Sequence, residues 1–147
     1  MGEILPWTRG CFVCGEDNAR GLQLRSRRSG EKVVLEYTPR PEEQGWREIL
    51  HGGIAMAVQD EVMTWAAILR SRCACVAAEL STRLRRPITI GQTLRVEGWV
   101  EPGSRPRLLR TSARILDEQG EELATARGKY MPRPEQDLPL PPGTYFD

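Results

Sequence analysis

The chain contains one histidine, two phenylalanines and no long apolar run, and each scarcity narrows what it can be. With a single histidine, His51, and no Gly-x-Ser-x-Gly motif, the serine hydrolase triads have no support. A membrane span needs about 18 consecutive apolar residues, and no stretch approaches that length. Met1 to Gly10 lacks the charged-then-apolar layout of a signal peptide, so a cytoplasmic location is expected. Charge of one sign is lacking too: 21 basic side chains face 20 acidic ones, for a net charge of +1. That balance offers no field to hold nucleic acid or a membrane surface, so neither is expected as a partner. Cysteines number four, as Cys11 with Cys14 and Cys73 with Cys75. A reducing compartment keeps them as thiols.

What is present suits one globular domain. A chain of 147 residues with 39% hydrophobic and 28% charged side chains can bury a single core. Residues 1–20 read as an irregular lead-in punctuated by Pro6, Gly10, Gly15 and Asn18. From Gly21, Leu22 and Leu24 alternate with polar residues, Ser29-Gly30 makes a turn, and Lys32 to Tyr37 is β-rich, which predicts a hairpin. Gly52 to Arg70 is apolar nearly all round and interrupted by Gln59, Asp60 and Glu61, which predicts a buried helix. Strands follow at Val76–Arg86, Thr93–Glu101, Leu108–Leu116 and Glu122–Tyr130. Leu94, Val96, Gly98 and Val100 alternate with Arg95, Glu97, Trp99 and Glu101, the mark of a sheet with one covered face. Five of the eleven prolines fall in residues 132–147, read as a surface tail, so the domain is expected to span 21–131. The order of hairpin, long helix and four strands predicts an α+β fold, an antiparallel sheet wrapped around one central helix.

Chemistry concentrates in Gln44-Gly45-Trp46, His51-Gly52-Gly53, Asp60 and Thr64. The first N–H groups of a helix lack intrahelical partners and carry the positive end of its dipole, so they can polarise a carbonyl oxygen. A carboxylate inside an apolar helix is costly unless it is partnered or functional. Thr64, four residues on, shares the face of Asp60, whereas Glu61 points about 100° away. Gly52 and Asp60 stand eight residues apart, roughly 12 Å along a helix. One carbonyl cannot touch both, so a shared reaction requires Gly52 from one subunit and Asp60 from another.

These residues resemble the hotdog-fold acyl-coenzyme A thioesterases of the phenylacetate-degradation type, whose signature is a His-Gly-Gly opening the central helix and an acidic residue at this spacing. Cys11-Phe12-Val13-Cys14-Gly15 with Asn18 and Gly21-Leu22, and Arg85-Arg86-Pro87 before Gly91, resemble segments of the same group. The resemblance extends over about residues 11–132. It implies a hotdog fold and hydrolysis of acyl-coenzyme A, or less readily acyl-carrier-protein, thioesters, with no cofactor. It also implies a homodimer, extending in some relatives to a dimer of dimers, with the Gly52 N–H polarising the thioester and Asp60 acting as nucleophile or general base. Gln44 resembles in type a polar side chain that relatives place near the nucleophile, with a spacing offset by about one residue. A cap or positioning role is expected for His51. Gly53, Glu61, Arg83, Arg85 and Arg86 complete the expected substrate contacts, the arginines because guanidinium forks suit the phosphates of coenzyme A.

Two alternatives stay open: a non-catalytic acyl-coenzyme A sensor, and a hotdog dehydratase, for which His51 is the sole candidate base. Cys11, Cys14, Cys73 and Cys75 could in principle gather around zinc, but the one-residue gap of the second pair is unusual for it. Ordinary thiols and no metal are expected.

Overall fold

The apolar run folds as helix α1, Gly52–Ser71, within a computed structural model that describes residues 2–137 and 145–146. His51 caps the helix, its side chain accepting from the Gly53 N–H. Arg72, in the left-handed region at φ 62°, ends it with its N–H on the Ile68 carbonyl, and the chain reverses into a strand at the next residue. Ala55, Val58, Val62, Met63, Ala66 and Ala67 repeat every three to four residues and are buried.

The strands are β1 Glu3–Ile4, β2 Trp7–Thr8, β3 Arg27–Ser29, β4 Lys32–Tyr37, β5 Cys73–Leu84, β6 Leu94–Val100, β7 Leu109–Leu116, β8 Glu122–Asp137 and β9 Tyr145–Phe146. Seven of them form one sheet in the order β1-β3-β4-β6-β7-β8-β5, and all of its pairings are antiparallel. β2 and β9 pair separately in parallel. Strands β4 to β8 pack against α1. This is the hotdog arrangement. The alternation read in β6 holds: Leu94 and Val96 are buried beneath the helix. Gly98 allows the closest approach, because a Cβ there would lie 2.8 Å from the Val62 carbonyl.

Three boundaries differ from the sequence reading. The lead-in is not wholly irregular: β1 adds an edge strand to the sheet, and Leu5, Val13 and Cys14 are buried. Segments this short carry no period to read. The first hairpin strand is shorter than expected, because Leu22 and Leu24 donate to the Phe12 and Val13 carbonyls instead of pairing with β4. At the other end β8 continues through Pro132 to Asp137 alongside β5. Beyond Tyr130 it has lost β7, so Pro132 needs to offer no N–H on that side. Of the expected tail, residues 138–144 and 147 lie outside the described residues.

Candidate active site

Asp60 sits halfway along α1 with its carboxylate between two hydroxyls. Thr64 Oγ1 donates to Asp60 Oδ1 at 3.2 Å from one turn further on, as the four-residue spacing requires. Tyr130 OH donates to the same oxygen at 2.6 Å and also lies 3.3 Å from the Asp60 carbonyl oxygen. Tyr130 is fully buried at the end of the inward row Ala124, Ala126, Gly128, Tyr130 of β8. Burial, reinforced by the neighbouring Asp60 charge, holds its phenol well above the usual range, so it remains a donor. Asp60 Oδ2 has no hydrogen-bond partner among the described residues.

Sequence reasoning missed Tyr130. The signal was available: a large side chain with a hydroxyl closing a row of small inward residues must find a polar partner. What the sequence lacked was the register that sets β8 beneath the middle of α1.

At the helix start, His51 Nδ1 accepts from the Gly53 N–H at 2.9 Å, and the His51 carbonyl accepts from Ile54 and Ala55. An accepting Nδ1 leaves the ring proton on Nε2, and the bond orients the first turn. Gly53 is thereby occupied, while the Gly52 N–H meets no acceptor among the described residues. A depression of about 280 Å³ opens beside it, lined by Leu50, Gly52, Ala55, Leu84, Arg85 and Arg86. Two of the three arginines therefore adjoin Gly52. Arg86 also pairs with Glu121 at 2.5 Å. Arg83 does not border that depression; it lines a second concavity, shared with Arg85, beside Trp99, Arg114 and Arg127.

Gln44 is turned to local work, its Oε1 accepting from the Glu48 N–H at 2.8 Å within the loop before the helix. Glu61 points away from Asp60 and is buried, with Oε2 accepting from Trp65 Nε1 at 3.1 Å and Oε1 3.9 Å from Cys11 Sγ. The four cysteines do not meet. Cys75 Sγ lies 3.3 Å from Ser71 Oγ at the far end of α1, whereas Cys11 and Cys14 gather with Glu61.

The hotdog sheet thus carries one helix with an open N–H at its start and a hydroxyl-held carboxylate at its middle. The thioesterase superfamily profile matches residues 48–124, more than half of the chain, and the protein belongs to that superfamily. A crystallised thioesterase superfamily protein is similar over 84% of this chain at 25% identity and TM-score 0.75, and this chain spans 60% of its length. The E. coli PaaI protein from the phenylacetic acid degradation operon aligns at 20% identity and TM-score 0.71, over 80% of this chain and 85% of that one. A Streptococcus mutans protein solved with acetyl-CoA shares the fold at TM-score 0.65 and 12% identity, over 90% of this chain and 89% of its own. Among curated proteins none matches significantly. No helix among the described residues is long and apolar enough to cross a membrane.

Proposed function

We propose that the protein hydrolyses acyl-coenzyme A thioesters at a site shared by two chains. The observation that carries this reading is the state of Asp60: two hydroxyls fix one carboxylate oxygen and leave the other open. The Gly52 N–H of one chain polarises the thioester carbonyl, and Asp60 of the other attacks it or activates the attacking water. Arg85 and Arg86, bordering the Gly52 depression, meet coenzyme A phosphates. β5 supplies a route to the dimer, since this 12-residue strand ends the sheet with one edge unpaired by the described residues. Val76, Leu84 and Met131 lie exposed on it and its neighbour. An edge this long invites a second copy. A single catalytic domain without cofactor and a cytoplasmic location complete the proposal.

The test is complementation. Gly52→Pro removes the polarising N–H at a position where proline suits a helix, and Asp60→Asn removes the carboxylate. Each variant alone is expected to lose turnover on a panel of acyl-coenzyme A esters followed by thiol release. Mixed and reassembled, the two restore about one quarter of native activity, because half the dimers are mixed and each holds one intact site. Native protein inactive across the panel overturns hydrolysis. Active variants overturn the residue roles, and failure of the mixture to recover overturns the shared site.

A further inference from the structure

Cys11-Phe12-Val13-Cys14-Gly15 folds as a tight turn against the middle of α1. The peptide N–H of Cys14 hydrogen-bonds to Cys11 Sγ at 3.4 Å. Gly15 N–H closes the turn on the Cys11 carbonyl at 2.8 Å. A Cβ on Gly15 would sit 2.1 Å from the Arg9 carbonyl oxygen, so only glycine fits. An N–H aimed at a sulfur stabilises the thiolate, which is the form that binds metal. Opposite stands Glu61, whose Oε2 is fixed by Trp65 Nε1 while Oε1 faces Cys11. Such a clamp on one carboxylate oxygen is how outer-shell partners orient a metal ligand.

The two sulfurs and a Glu61 oxygen all lie within 4.8 Å of one another. Around a tetrahedral ion with bonds of about 2.3 Å to sulfur and about 2.1 Å to oxygen, such a pair stands roughly 3.6 Å apart. Cys11 Sγ and Glu61 Oε1 are 3.9 Å apart, a few tenths of an ångström from that value. We propose that Cys11, Cys14 and Glu61 bind one thiophilic divalent cation of the zinc(II) class, with solvent at the fourth position. Two thiolates and a carboxylate match its ligand preference, and the half-exposed Cys11 gives it a way in. Without the ion, two thiols and a carboxyl crowd one largely buried spot. The ion would tie the lead-in to α1 one residue from Asp60. This inference stands apart from the thioesterase reading, and its readouts need no substrate.

Reduced, chelator-treated protein is titrated with cobalt(II) without air. We expect one equivalent per chain, a thiolate-to-cobalt charge-transfer band in the near ultraviolet, and displacement by zinc(II). Cys11→Ser and Cys14→Ser abolish the band. Glu61→Gln keeps it but weakens binding at least about tenfold, and Cys73→Ser with Cys75→Ser changes nothing. In the native protein, zinc protects Cys11 and Cys14 from alkylation, mapped by mass spectrometry, and raises the melting temperature. Absence of both the band and the protection overturns the site. So does a band that survives loss of Cys11 and Cys14 together, or a reduced protein that takes up no metal yet forms a Cys11–Cys14 disulfide in air.

Discussion

In the proposed reaction Asp60 and Tyr130 make separable contributions, since one would carry the reacting oxygen and the other fixes its neighbour. Asp60→Asn keeps an acceptor for both hydroxyls but loses the nucleophile or base, so turnover should fall at least about 100-fold with little change in melting temperature. Tyr130→Phe removes a hydrogen bond to a charged group, worth about 1.5–3 kcal/mol, so kcat should fall roughly 10- to 100-fold. A Tyr130→Phe protein with native kcat would show that Thr64 alone suffices. The relative placement of Asp60 and Gly52 was legible because both lie in one helix, where the spacing of residues is a distance. Partners arriving from elsewhere in the chain were not: Tyr130 reaches Asp60 from 70 positions away, and Cys11 reaches Glu61 from 50. No local pattern records such meetings.

At the scale of elements, the helix end and the outer sheet face each yield a prediction. Arg72 holds a left-handed φ of 62° with a side chain that disfavours it. Arg72→Gly should stabilise the protein by about 1 kcal/mol, seen as a melting point about 2–4 °C higher. On the outer face Glu97 accepts from Arg95 at 2.8 Å, Arg114 at 2.9 Å and Lys32 at 3.3 Å. Burial alone would raise its carboxyl, but these three cations outweigh burial and hold it at about 2. A folded-state value below the unfolded one, about 4.3, stabilises fully above that pH and is lost as pH falls toward about 2. Glu97→Gln should cost about 1–3 kcal/mol at pH 7 and flatten the loss of urea resistance between about pH 5 and 2; an unchanged slope would discard the cluster as a stabiliser. The α1 helix and strands β6 and β7 were legible within a residue or two because many residues share one period. Two-residue strands such as β1 and the proline-bearing end of β8 were not, since only their neighbours make them strands.

For the whole molecule, the proposed two-chain site ties activity to association. Val76→Lys on the exposed edge strand should leave the chain folded yet shift it to a monomer in sedimentation and abolish thioesterase turnover. An active monomer would remove the shared site. Beneath α1, strand β8 offers Ala124, Ala126 and Gly128 before Tyr130, and Gly98 brings the helix backbone onto β6. Helix and sheet lie close together there, and under the proposed two-chain site the acyl chain would run along surface contributed by the second copy. Substrate preference then becomes a property of exposed side chains. Selection can lengthen, shorten or reshape the acyl group accepted through residues such as Met131 and Leu84, without reopening the interior that keeps the protein folded.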